Sequence, residues 1–148
     1  KKMKRHSISE NFFALCSFDT ELVFNTNRRP HLIVKNIIYK DKRQTFAIPL
    51  RSNIKAPEWQ YFSLPPTSRT ENKRAHGIHY IKMFPIKKEY LEPYFNSDKK
   101  HKRIVKIIKR NSKNIVKETQ KYVKNYEEGN IHRYSTDIEN IYYKLTNK

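Results

Sequence analysis

His31 to Tyr39 reads HLIVKNIIY and Gln44 to Leu50 reads QTFAIPL, with the polar stretch Lys40-Asp41-Lys42-Arg43 between them. No other feature restricts the fold as much. The first run is almost continuously apolar, which predicts a strand buried on both faces. The second returns along it as a hairpin. Pro49 has no amide hydrogen to give to a ladder, so this second strand is expected at a sheet edge, or to end there. Gly77 to Phe84 reads as a third strand. Residues 51–76 between them, with Pro57, Pro65 and Pro66, read as a long irregular region holding one short strand near Trp59, Tyr61, Phe62 and Leu64. Ser9 is placed to cap a short helix with Phe12, Phe13, Leu15 and Cys16. Ile86 to Phe95 carries a short helix signal. Farther on, Ile104, Ile107, Ile108, Ile115, Tyr122, Val123 and Tyr126 recur near helical spacing opposite a Lys/Arg face. Gly129-Asn130 stops that region. Ile131, Tyr134, Ile138, Ile141, Tyr142 and Leu145 then repeat at steps of three and four, with Thr136 and Glu139 as a capping box. The expected class is α+β in a single domain over 1–148, sheet-rich over 1–95 and helical over 96–148.

Charge narrows the function. The 148 residues hold 32 Lys and Arg against 14 Asp and Glu, a formal net charge of +18. The excess runs through both the sheet-rich and the helical part, so it is not a basic tail on a neutral domain. A folded unit with this field repels itself, and a polyanion relieves that. Ten Tyr, eight Phe and one Trp set the chain apart from disordered basic segments. No apolar run reaches the length of a membrane span and no signal peptide is legible. Cys16 is alone, so no internal disulfide forms and the cytoplasm is the expected compartment.

The chemistry-bearing residues are mostly basic or hydroxylic. His76 and His79 lie three apart, so in a strand they face opposite sides and do not share an ion. No carboxylate cluster accompanies them, and two glycines are too few for a phosphate loop. No metal and no cofactor are expected. What remains is Arg51-Ser52-Asn53-Ile54-Lys55, then Thr67-Ser68-Arg69, then Lys73-Arg74-Ala75-His76, with Lys82 in the third strand. RNA is cut without metal when its own 2′-hydroxyl attacks the adjacent phosphate, given a base, an acid and cations around the phosphorane. Such residues also bind phosphate without cutting it. Taken alone, Ser52 reads as a turn serine, and His79, alternating with Ile81 and Met83, reads equally as a core histidine. Lys82 alternates with Ile78 and Tyr80, so its charge needs a partner, which a phosphate would satisfy. Trp59, Tyr61 and Phe62 suit either core packing or base stacking.

Three segments occur in an order that has a known counterpart: Arg29-Pro30-His31-Leu32-Ile33-Val34, then Phe46 to Ile54, then Gly77 to Ile86. Over about residues 7–95 the chain resembles toxins of type III toxin–antitoxin systems, the ToxN/AbiQ superfamily, and within it the TenpN family. The resemblance implies a compact domain around a strongly twisted antiparallel sheet with flanking helices. It implies a metal-independent endoribonuclease that leaves a 2′,3′-cyclic phosphate and acts in phage defence. The implied partners are a small RNA antitoxin, often a tandem-repeat pseudoknot, and cellular or phage RNA as substrate, with toxin and RNA joined in an RNA-bridged oligomer.

The family's Pro-Leu-Thr-Ser segment falls on Pro49-Leu50-Arg51-Ser52, so Ser52 matches its active-site serine and Arg51 replaces its threonine. The family lysine comes two residues after that segment, whereas Lys55 comes three after Ser52. A basic residue after the earlier proline falls on His31. A family tyrosine falls on Asn27, so its acid–base role passes to His31, His76 or His79. Gly77 and Lys82 keep their mutual spacing. The catalytic candidates are thus Ser52, Arg51, Lys55, His31, His79 and Lys82. The RNA-binding candidates are Arg28, Arg29, Arg69, Lys73, Arg74 and His76. The competing readings are a non-catalytic RNA- or DNA-binding module and a basic protein that docks on an acidic partner.

Overall fold

A computed structural model describes residues 3–23, 29–67, 69–96 and 99–147. Strands β1 (Lys4–Ile8), β2 (His31–Tyr39), β3 (Lys42–Ile54), β4 (Tyr61–Leu64), β5 (Ala75–His79), β6 (Phe84–Ile86) and β7 (Leu91–Pro93) form one seven-stranded sheet. Its order is β4-β5-β3-β2-β1-β7, with β6 paired to β3, and every pairing is antiparallel. Helix α1 (Glu10–Leu15) follows β1, and α2 (Lys99–Arg110), α3 (Ser112–Glu127) and α4 (Ile138–Thr146) end the chain. The class is α+β.

The central hairpin forms where the apolar runs place it. Lys40 and Asp41 turn with positive φ of 53° and 61°, and His31 to Tyr39 pairs with Lys42 to Pro49. Successive β2 side chains enter two separate clusters, so the strand is covered on both faces. Leu32 and Val34 pack with Phe46, Ile48 and Ile78 against Ile104 and Ile108 of α2 and Ile115 and Val123 of α3. Ile33 packs with Ala47 and Phe84 against Phe12 and Phe13 of α1 and Ile141 and Leu145 of α4.

Pro49 neither ends β3 nor marks an edge. The strand runs on to Ile54 with neighbours on both sides. Leu50 N–H donates to Pro30 O at 3.0 Å, toward β2. By alternation the Pro49 nitrogen points the other way. There the expected third strand is broken: β5 stops at His79, Tyr80–Lys82 coil into a 3-10 turn, and β6 starts at Phe84. Pro49 therefore lacks its N–H just where no ladder partner exists.

Two local signals gave way to long-range pairing. The helix signal over Ile86 to Phe95 becomes a single 3-10 turn, Lys88–Tyr90, and then β7, whose Leu91 opposes Ile8 of β1. The capping box at Thr136 and Glu139 is not made. Asp137 caps α4 by accepting from Asn140 N–H at 3.2 Å, and the Thr136 hydroxyl donates to Met83 O instead. Ser9 caps α1 as expected, accepting from Asn11 N–H at 3.1 Å. The long basic helical region divides at Asn111, whose side chain donates to Ile107 O at 2.8 Å. Among the described residues no helix is long and apolar enough to cross a membrane.

Candidate active site

Strand register sorts the candidate residues by face. Opposed residues of antiparallel strands share a face, as do residues two apart. His31 opposes Pro49, Arg51 opposes Gly77, and His79 opposes Tyr61. His31, Arg51 and His79 thus lie on the same side as Ile33, Ala47 and Phe84, toward the β4–β5 end of the sheet. His76 opposes Leu64 and lies on the other side. Gly77 lets β4 close against β5 here: a Cβ on it would sit 2.4 Å from Phe62 O and 3.0 Å from Tyr61 Cδ2.

The chemistry centres on one pair. Arg51 Nη1 lies 3.1 Å from His79 Nδ1. A guanidinium has only donors, so Nδ1 accepts and the ring hydrogen resides on Nε2. That Nε2 is buried and has no hydrogen-bond partner among the described residues. Burial, and then the charges of Arg51 and Lys82, push the His79 pKa down to about 3, so the ring is neutral near pH 7. A buried donor without an acceptor costs on the order of 1–3 kcal/mol. That nitrogen is out of reach of solvent, so His79 acts by holding the Arg51 guanidinium and not by touching a substrate.

Further cations lie near Arg51, and a hydroxyl follows it directly in the chain. The register between β3 and β5 shifts between Arg51 and Ile54, so Ser52 and Asn53 sit in a bulge. Bulges re-aim side chains and are frequent beside functional sites. Ser52 is half-buried, and its hydroxyl makes no hydrogen bond to a described residue. Asn53 Nδ2 donates to Arg69 O at 3.0 Å, and its Oδ1 accepts from Glu71 N–H at 2.8 Å. The loop carrying Arg69 is thereby pinned to the bulge. Arg29 Nη1 donates to Leu50 O at 3.4 Å. Burial, then the charges of Arg51 and Arg69, lower the Arg29 pKa. Two guanidiniums close enough to perturb a third form a field that an anion relieves. Lys55, Lys73 and Arg74 are exposed, and Arg28 lies outside the described residues.

The fold uses three other candidates internally. His31 is fully buried, its ring edge-on to Phe84 at 5.6 Å between centroids. Its Nδ1 donates to Arg29 O at 3.1 Å. No RNA hydroxyl reaches a ring with zero exposure, so His31 occupies a core position rather than a substrate contact. Lys82 does not wait for a phosphate: its ammonium donates to Glu21 Oε1 and to Tyr134 O, both at 2.7 Å. The 3-10 turn after His79 takes Lys82 off the strand alternation on which the sequence expectation rested. His76 Nδ1 donates to Pro65 O at 2.7 Å and so ties β5 to the loop after β4.

Sequence reasoning missed Glu21, and it named Asn53 within residues 51–55 without giving it a role. Nothing local links Glu21 to a lysine 61 residues on. For Asn53 the available signal was an Asx residue directly after Arg51-Ser52. Among the described residues, no group of three or more His, Cys, Asp or Glu stands close enough to hold a metal ion.

No protein-family model matches the sequence, and no curated protein does. Solved structures do match, over the full length. AbiQ, a lactococcal anti-phage endoribonuclease of a type III toxin–antitoxin system, superposes with a TM-score of 0.72 at 16% identity, covering 99% of this chain and 97% of that one. A protein of a bacterial antiviral system regulated by a processed non-coding RNA gives 0.72 at 16% identity, with 99% of both chains covered. A third comes from a bacterial type III toxin–antitoxin system in which a non-coding RNA pseudoknot selectively inhibits the toxin; it gives 0.71 at 14% identity and covers all of both chains. From β1 to α4, the chain has the fold of the type III toxin–antitoxin toxins.

Proposed function

We propose that this protein is the toxin of a type III toxin–antitoxin system, an endoribonuclease restrained by a small structured RNA of the pseudoknot kind. In this reading it acts on cellular or phage RNA in the cytoplasm as part of phage defence, and toxin and antitoxin assemble as an RNA-bridged oligomer. The observation that carries the reading is the Arg51–His79 pair directly before the β3 bulge that holds Ser52. The full-length likeness to an endoribonuclease supports it.

The reaction is transesterification. The 2′-oxygen attacks phosphorus and loses its proton, the bond from phosphorus to the 5′-oxygen breaks, and the 5′-oxygen gains a proton. The products are a 2′,3′-cyclic phosphate and a 5′-hydroxyl. Arg51, held in place by His79, donates to non-bridging phosphate oxygens, where negative charge grows in the phosphorane. Ser52 adds a hydroxyl donor that positions the phosphate. Arg29, Arg69, Lys55, Lys73 and Arg74 hold the flanking backbone. No step calls on a metal ion or cofactor.

Substrate chemistry tests this directly. The protein is expected to cut single-stranded RNA, and to leave intact both DNA of the same sequence and RNA whose 2′-oxygens are methylated, because neither has the nucleophile. Cleavage of the DNA or of the fully methylated strand would reject the mechanism. Retention of all three strands with none cut would make the protein a binding module.

A further inference from the structure

Elements joined to the strand end that carries His79 present an exposed aromatic cluster that the cleavage chemistry leaves unused. Trp59 is 62% exposed and Tyr134 46% exposed. The His132 ring lies between them, 5.7 Å from each by centroid. The Arg133 guanidinium stands over the Tyr134 ring at 4.6 Å. Isolated exposed apolar side chains are ordinary, but a contiguous group from remote parts of the chain marks a contact surface.

Both halves of the cluster are fastened beside His79. Trp59 belongs to the 3-10 turn Glu58–Gln60, which leads into Tyr61, the residue opposite His79. The loop carrying His132 and Tyr134 is tied to the 3-10 turn that follows His79. Tyr134 O accepts from Lys82, Thr136 N–H donates to Ile81 O at 3.3 Å, and Ser135 Oγ shares a 2.5 Å hydrogen bond with Tyr122 Oη. Inside the loop, Tyr134 N–H donates to His132 Nδ1 at 3.1 Å. The rings are therefore presented on a braced loop.

We propose that Trp59, His132 and Tyr134, with Arg133, form a stacking subsite for an unpaired nucleobase of the RNA strand whose phosphate lies at Arg51 and Ser52. This rests on the ribonuclease reading and adds to it a base-binding position. Nucleobases stack on exposed aromatic faces and on guanidinium planes, and arginines beside the rings hold the sugar–phosphate backbone that carries the base. The same surface would prefer a single strand to a duplex, whose bases hide their faces in the stack.

Trp59 is the single tryptophan of the chain, so its fluorescence reports on the subsite alone. The probe is a short 2′-O-methyl single strand, which cannot be cut. Base-containing strands are expected to quench Trp59, whereas an abasic strand of equal length and inorganic polyphosphate are not. Trp59→Leu and Tyr134→Ala should each weaken binding by about tenfold or more, the loss typical of removing one base–aromatic stack. Trp59→Phe should keep most of the affinity. Equal quenching by the abasic strand or polyphosphate overturns the proposal, as does wild-type affinity in Trp59→Leu. Dissociation of a protein dimer by Trp59→Leu with RNA affinity unchanged also overturns it, making the patch a contact between copies. Because the probe is uncleavable, a failure of the ribonuclease reading shows separately, as intact RNA together with normal quenching.

Discussion

Ser52→Ala is expected to leave the protein folded and still bound by RNA, while cleavage falls by about a hundredfold, equivalent to ~3 kcal/mol of transition-state stabilisation. The two halves of this expectation have separate grounds. Ser52 is half-buried in a bulge and its hydroxyl bonds no described residue. Removing it leaves no stranded partner, so stability should change by about 0.5 kcal/mol or less. The rate loss follows from its place directly after Arg51, whose guanidinium is fixed on His79. A melting curve and a cleavage time course on the same preparation separate the two effects. An unchanged rate at an unchanged melting temperature removes Ser52 from the mechanism and leaves Arg51, held by His79, as the phosphate-binding group.

The second large effect is a loss of stability in mild acid. Burial is the largest cause of the lowered pKa at both His31 and His79, and each is brought down to about 3. In the unfolded chain both return to about 6.5. Below that pH the unfolded state takes up protons that the folded state refuses, so stability falls as pH falls. The loss begins near pH 6.5 and continues toward pH 3, where the folded protein protonates as well. Above pH 6.5 neither ring contributes a pH dependence. At pH 5 each histidine costs about 2 kcal/mol, and the pair about 4 kcal/mol, a large share of a typical domain's stability. Urea unfolding at pH 7.5 and pH 5 measures this. His31→Phe should remove its own share, about 2 kcal/mol, of the difference between the two pH values. A flat stability across that interval would mean that one or both rings protonate in the folded state.

Much of the architecture is legible in the residues because the relevant signals are local. HLIVKNIIY is apolar enough to require cover on both faces, and it receives two core clusters. Ser9 before Phe12 and Phe13 marks a capped helix, and the 3.6 spacing from Ile104 onward marks the C-terminal helices. What stayed hidden depends on partners far away in sequence. Lys4–Ile8 and Leu91–Pro93 are short and only partly apolar, and they become strands because β1 pairs with both β2 and β7. The break after His79 has no proline or glycine to announce it, and it decides where Lys82 points.

The site divides in the same way. Arg51, Ser52, His79 and Gly77 were legible as candidates, since they lie on or beside predicted strands. Their grouping was not, because it follows from the antiparallel register of β3 with β5 and from the bulge at Ser52-Asn53. His31 was legible as a basic residue after a proline, but its burial came from the packing of Phe84 against it. Trp59 was legible as a possible stacking residue. Tyr134 was read with Ile131 as a core position of the helical repeat, but the helix starts only at Ile138, which leaves both residues exposed and His132 beside them in a loop.

The most direct test of the central claim is the chemical nature of the new RNA ends. RNA is incubated with the purified protein in excess EDTA, and the 3′ ends of the fragments are identified by mass. A reaction driven by the RNA's own 2′-hydroxyl, with Arg51 and Ser52 at the phosphate and His79 holding Arg51, gives a 2′,3′-cyclic phosphate opposite a 5′-hydroxyl. A 3′-hydroxyl end, or activity lost in EDTA and restored by a divalent cation, contradicts it.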